Sequence, residues 1–162
     1  MILVVCGVSG VGKTTIGMLL SEALEIPFHD ADDFHPASNV EKMSSGIPLD
    51  DGDRRPWLDT LASEMPVWEK EGGAVLACSA LKECYRMILG SRGSERIRWI
   101  ILHATETVLA DRIASRDGHF FDRQLLGSQL DALEIPDYGW LIDAQPPPHE
   151  IVNEILMRLR EK

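Results

Sequence analysis

Residues Gly7-Val8-Ser9-Gly10-Val11-Gly12-Lys13-Thr14 form the pattern G-x-x-x-x-G-K-[ST], set between the apolar run Ile2 to Cys6 and the helix-like stretch Thr15 to Leu24. Strand, glycine loop and helix in that order are the setting in which such a loop cradles phosphate. The glycines let successive backbone N–H groups turn inward on a β-phosphate, and the opening helix adds the positive end of its dipole. Lys13 can then reach the β and γ oxygens, and the Thr14 hydroxyl can hold Mg²⁺. The sequence thus predicts a nucleoside triphosphate site running from Gly7 through Val8, Ser9, Gly10, Val11, Gly12, Lys13 and Thr14 to Thr15.

Phosphoryl transfer also needs cations around the moving group and a residue that orients the acceptor. The third apolar run ends Val75-Leu76-Ala77-Cys78-Ser79, with no acid where a metal-holding aspartate could stand. Asp30 and Asp32, after the second run, are the natural replacements: one to accept from the acceptor hydroxyl, the other to hold metal-bound water. The competing expectation is that these aspartates only cap the next helix, which suits Asp33 better.

The stretch Pro48 to Leu58 is too charged for a core and too aromatic for an ordinary solvated loop. Pro56 favours a helix start there. That would leave Arg54 or Arg55 at the mouth of the site, where a guanidinium grips a carboxylate through two bonds, unless both merely pair with neighbouring aspartates. Lys82 and Arg86 are four apart and so share a helical face, suiting an anionic substrate. Arg112 and Arg116 repeat that spacing. Beyond them Gly118, His119, Phe120 and Phe121 read as a lid over Arg116 to Arg123 that brings cations to the transferring phosphate and expels water, or else as the base of a static loop. His119 is a candidate hydrogen-bond partner for substrate or phosphate. The five histidines show no metal-ligand spacing.

These groups need a scaffold that gathers them. Apolar runs at Ile2 to Cys6, Pro27 to His29, Ala74 to Cys78, Ile97 to His103 and Gly139 to Ile142 alternate with helical patterns at about 13–24, 36–44, 56–71, 80–89, 106–115, 123–133 and 149–160. Such alternation predicts an α/β fold, a five-stranded parallel sheet with helices on both faces. Ligands of an open parallel sheet bind beyond the carboxyl ends of its strands, where the polar residues above are found. At 162 residues the chain has room for one such domain. A substrate-binding helical region at about 31–71 and a lid at about 116–124 would be insertions within it.

The net charge of −10 argues against nucleic acid or an anionic membrane as partner. It also makes an anionic nucleotide hard to approach. Residues 1–53 hold only Lys13 and Lys42 against nine Asp and Glu, and all eleven arginines come later, so the neutralising cations must be brought in from the rest of the chain. Cys6, Cys78 and Cys84 have no paired spacing and are expected to be reduced thiols in a cytoplasmic protein. No stretch approaches the length of a membrane span, and the amino terminus reads as a strand and not as a signal peptide.

The chain resembles the gluconokinase family of small P-loop kinases. The resemblance is carried, in the family's order, by Gly7 to Thr14, Asp30-Ala31-Asp32-Asp33-Phe34-His35-Pro36, Asn39 with Lys42-Met43 and Gly46, Pro48 to Leu58, Cys78-Ser79-Ala80-Leu81-Lys82 with Tyr85-Arg86, and Gly118-His119-Phe120 continuing to Leu133-Glu134. It implies the nucleoside monophosphate kinase fold, often as a homodimer, and ATP- and Mg²⁺-dependent phosphorylation of D-gluconate at its 6-hydroxyl. It also implies roles. Asp30 would face the acceptor hydroxyl; the residues themselves make Asp32, with Thr14, the candidate for the metal, and leave open which aspartate is base and which is metal-linked. His35, Lys42, Arg54, Lys82, Arg86 and His119 would join Asp30 and Asp32 around the sugar acid. Arg116 would cover the phosphates, and Arg112, Asp143 and Gln145 would lie along the nucleotide. The alternatives are a kinase of another hydroxy acid, such as a different aldonate or shikimate, and a nucleotide-binding switch with no acceptor. The second is disfavoured because the chain lacks the Asn-Lys-x-Asp guanine signature.

Overall fold

A computed structural model describes all residues except 93–95, 116–122 and 162, and the side chains of 123 and 124. The elements run β1 (Ile2–Cys6), α1 (Lys13–Leu24), β2 (Phe28–Asp30), a 3₁₀ turn (Ala31–Phe34), α2 (Ala37–Ser44), α3 (Asp51–Lys70), β3 (Ala74–Ala77), α4 (Glu83–Gly90), β4 (Ile97–His103), α5 (Glu106–Ala114), α6 (Arg123–Ala132), β5 (Trp140–Asp143) and α7 (Pro148–Arg160). The strands form one parallel sheet in the order β2-β3-β1-β4-β5.

The central strand β1 is buried along its whole length, which is why it reads as an unbroken apolar run and not as an alternation. Its residues divide between two cores. Leu3 and Val5 join Ile16, Leu20, Ile100, Leu102, Ile151 and Ile155 on one face of the sheet. Ile2, Val4 and Cys6 join Trp57, Leu61, Met65, Leu76 and Leu89 on the other. Helices α1, α5 and α7 therefore cover one face, and α3 and α4 the other.

Helix α3 begins earlier than the sequence suggested. Asp50 caps it by accepting from the Asp53 N–H at 2.7 Å, while the Asp53 carboxylate accepts from the Asp50 N–H at 3.1 Å. This reciprocal cap outweighs the start signal of Pro56, which lies inside the helix, where the residue four before it is Gly52. Trp57 anchors the helix, its Nε1–H donating to the Ala31 carbonyl at 2.7 Å. Helix α4 starts at Glu83, not at Ala80, so Lys82 sits at its N-cap.

Candidate functional site

The carboxyl ends of β1, β2 and β3 deliver the phosphate loop, the Asp30 to Asp33 turn and the Ser79 to Lys82 segment to one edge of the sheet. The loop turns on glycines in left-handed conformations. Gly7 has φ 139°, and a Cβ there would meet the Leu102 carbonyl oxygen at 2.7 Å. Gly12, at φ 104°, caps α1, and a Cβ on it would have no neighbour within 4 Å, so the hollow of the loop has room for phosphate oxygens. The Lys13 ammonium donates to the Val8 carbonyl at 3.0 Å. Burial pulls its pKa below the ordinary lysine value, opposed chiefly by Asp32.

Beside the loop, on the side of α5 and α7, lies a cleft of about 300 Å³ lined by Gly12, Thr15, Arg112, Ala144, Pro146 and Pro148, among others. Arg112 braces it by donating to Val11 and Ala144 carbonyls at 3.3 and 2.6 Å. Asp143 and Gln145 flank the lining residue Ala144 without lining the cleft themselves: Asp143 Oδ1 accepts from the Gln145 N–H at 3.0 Å, a turn that directs the chain from β5 towards α7. These dimensions suit a purine base and ribose.

Toward the other side stand the aspartates. Asp30 Oδ1 accepts from the Asp32 N–H at 3.0 Å and so caps the 3₁₀ turn, a task the sequence had suggested for Asp33. Its other oxygen accepts from the Thr14 hydroxyl at 3.3 Å. The structure thus pairs Thr14 with Asp30, whereas Asp32 was the metal candidate expected beside it. Two hard oxygen donors side by side are what Mg²⁺ requires of a protein that leaves its other ligands to water and phosphate. Asp32 keeps 87 % of its side-chain surface open. Its carboxyl is nevertheless held above the usual range, first by desolvation in the recess and then by the neighbouring Asp30 charge. His35 Nε2 is 3.9 Å from Asp32 Oδ1. The His35 ring is stacked on Trp57 at 4.3 Å, and the Asn39 amide lies 3.2 Å from Nδ1, which sets the proton on Nε2 when that amide donates. Burial lowers the His35 pKa, which favours the neutral imidazole, and at 3.9 Å the ring flanks Asp32 without a hydrogen bond to it.

The cationic side of the site is only partly as the spacing suggested. Arg54 lies over the Tyr85 ring at 5.7 Å, and its Nε is buried with no hydrogen-bond partner among the described residues. Lys82 lies over the same ring at 5.5 Å and donates to Asp51 Oδ1 at 3.1 Å. Arg55 is exposed and pairs with Asp59 along α3 at 3.0 Å. Lys42 is committed to Asp53 at 2.6 Å, holding α2 to the start of α3.

Arg86 does not share Lys82's outlook and requires a correction. It is 2 % exposed. Its guanidinium donates to the carbonyls of Ala80, Leu81 and Glu134 at 2.7, 3.3 and 2.8 Å and to the Glu83 carboxylate and Tyr138 hydroxyl at 2.9 and 3.2 Å. All its donor directions are spent inside the protein. The four-residue spacing failed because Lys82 precedes the helix that Arg86 is on. Arg116 and His119 lie outside the described residues, as do the lid's glycine and phenylalanines.

Three participants had been given no role. Asp51 and Tyr85 complete the Arg54–Lys82 cluster, Tyr85 donating its hydroxyl to Asp51 Oδ1. Gln129 of α6 accepts from the Ser9 N–H at 2.6 Å and so clips the phosphate loop across 120 residues of sequence. Nothing local in the sequence marks a glutamine for that contact. Cys6 and Cys78 lie beneath the loop with their thiols pushed up by burial, Cys78 to about 12, and are inert packing groups.

Comparison with known proteins agrees with this geometry. The AAA domain model matches residues 3–124. A gluconokinase of Gluconobacter oxydans is 48 % identical over 83 % of this chain and 75 % of its own length. A gluconokinase of Arabidopsis thaliana is 39 % identical over 96 % of this chain and 90 % of its own. The crystal structure of a gluconokinase from Sinorhizobium meliloti 1021 superimposes with a TM-score of 0.87 at 41 % identity, covering 98 % of this chain and 93 % of that one. With a phosphate loop, an aspartate pair and an anion-ready arginine around one sheet edge, and with identity of this extent, the chain belongs to the gluconokinase family.

Proposed function

We propose that this protein is a gluconokinase that transfers the γ-phosphoryl group of ATP to the 6-hydroxyl of D-gluconate, giving 6-phospho-D-gluconate and ADP. The observation that carries the acceptor assignment is the Arg54 guanidinium, whose Nε is buried without a partner among the described residues, beside Tyr85 and Lys82. A buried donor left unpaired is costly unless a ligand completes it. A carboxylate completes a guanidinium best.

In this reading the base and ribose occupy the cleft lined by Arg112 and Pro146, along the segment containing Asp143 and Gln145, and the phosphates enter the loop from Gly7 to Thr15. Lys13 leaves the Val8 carbonyl for the β and γ oxygens, which return the charge interaction that burial denies it. Thr14 and Asp30 would hold Mg²⁺, which would supply charge neutralisation to the transferring phosphoryl group. Asp32, flanked by His35 and not engaged with Thr14, accepts the proton of the acceptor hydroxyl. The resemblance had put Asp30 at that hydroxyl. Arg54 holds the sugar acid's carboxylate, with Lys82, paired to Asp51, beside it; Arg116 is assigned to the phosphates and His119 to substrate or phosphate, both outside the described residues. Three free thiols suit a reducing compartment, and we place the protein in the cytoplasm.

A coupled assay of ADP release decides the matter. Release is expected to depend on both gluconate and Mg²⁺ and to vanish in Lys13→Ala. Equal turnover of other aldonates or shikimate would remove gluconate as the specific acceptor, and nucleotide binding without acid-dependent release would make the protein a switch.

A further inference from the structure

The Asp51 carboxylate stands inside the cluster that the proposed function assigns to the sugar acid, an odd place for an anion. Its Oδ1 accepts from both Lys82 and Tyr85, whereas Oδ2 has only a 3.4 Å approach from Lys82, and the side chain is 65 % exposed. Helix capping does not explain it, because Asp50 and Asp53 already cap α3 reciprocally. Its effect is on charge. Arg54 and Lys82 both lie over the Tyr85 ring, and with Asp51 among them two cations are offset by one carboxylate.

We propose that Asp51 is a specificity-determining residue: it leaves the cluster a single net positive charge and one open acceptor oxygen, so that the pocket takes a hydroxylated monocarboxylate and turns away a dicarboxylate. The inference rests on the reading of this pocket as the acid's seat. A monoanion meets Arg54 and neutralises the cluster, and its hydroxyls can donate to Asp51 Oδ2. A second carboxylate would meet Asp51 instead of a cation, since the Lys82 charge is already taken. Tyr85 and Lys82 hold the Asp51 carboxylate ionised, well below the usual carboxylate range.

The test compares the affinities of malonate and propionate by calorimetry on the protein saturated with MgADP, with Mg²⁺ in excess so that the loop's own anion site is filled and chelation is suppressed. Asp51→Asn keeps the shape and can still accept from Tyr85 and Lys82 but removes the charge. It is expected to shift the malonate-to-propionate preference about tenfold toward malonate, the effect of one unit charge a few ångströms away in a partly solvated site. Asp51→Glu should keep the wild-type preference, and Lys82→Gln should shift it in the opposite direction. A preference unchanged within about twofold in both Asp51→Asn and Lys82→Gln would overturn the proposal. Because binding is read without turnover, the two ideas fail separately. A shifted preference in a protein that does not phosphorylate gluconate strikes the acceptor assignment alone. An unshifted preference in an active gluconokinase strikes the charge filter alone.

Discussion

Arg54 and Arg86 carry the same charge and the same donors, and their surroundings give them opposite tasks. Arg86 is saturated by carbonyls and Glu83, while Arg54 holds a buried nitrogen free. Replacing Arg54 by Lys keeps the charge and loses the fork, so KM for gluconate should rise about tenfold or more with kcat little changed. A steady-state series showing an unaltered KM would place the acid elsewhere. The aspartates are separable in the same way. Asp32→Asn should lower kcat about a hundredfold, as for loss of a positioned base. Asp30→Asn should instead raise the Mg²⁺ concentration needed for half-maximal rate. Because the Asp32 carboxyl is held above its usual range and a base works only when ionised, the rate should fall as pH drops through that raised value, not through the ordinary value near 4. An acid limb that persists unchanged in Asp32→Asn would assign it to another group.

The helices show where spacing rules succeed and where they slip. The start of α1 at Lys13 was plain because loop glycines end where the apolar period begins. Helix α3 starts ahead of Pro56 because a reciprocal cap between Asp50 and Asp53 is a stronger start than a proline, which brings Asp51-Gly52-Asp53 into the helix. Helix α4 carries the error that matters most for the site. Its N-terminus is held by the segment after α6, with the Glu134 carboxylate accepting from the Glu83 N–H and the Glu134 N–H donating to the Leu81 carbonyl at 2.8 Å. Arg86 locks that junction. Arg86→Met would leave the Ala80 and Glu134 carbonyls without their donor and the Leu81 carbonyl and Glu83 carboxylate with one fewer, and should cost about 3 kcal/mol or more of stability, read from denaturant midpoints. Wild-type stability together with lost gluconate affinity would return Arg86 to the acid.

The whole molecule binds two anions on a chain with a net charge of −10. The contradiction is met locally: the loop's backbone dipoles, Lys13, Arg54 and Lys82 supply positive potential at the strand ends, against Asp30, Asp32 and Asp51 in the same site. The acidic excess also repels itself across the folded surface. Raising ionic strength from about 0.01 to about 0.15 M shortens the screening length from about 30 to about 8 Å, so calorimetry should show Tm rising by a few degrees. A flat or falling Tm would mean that favourable pairs such as Lys42–Asp53 and Arg158–Glu154 outweigh the repulsion.

Strand count, the parallel sheet, the phosphate loop and the aspartate turn were legible in the amino acids alone, because each is specified within a short window: an apolar run, a glycine spacing, a carboxylate just past a strand. The occupation of Arg86, the partner of Thr14, the Asp51–Lys82–Tyr85 cluster and the reach of Gln129 to Ser9 were not. They depend on which segments distant in sequence are packed against one another, and a side chain's free donors are known only when every neighbour that could take them is in place.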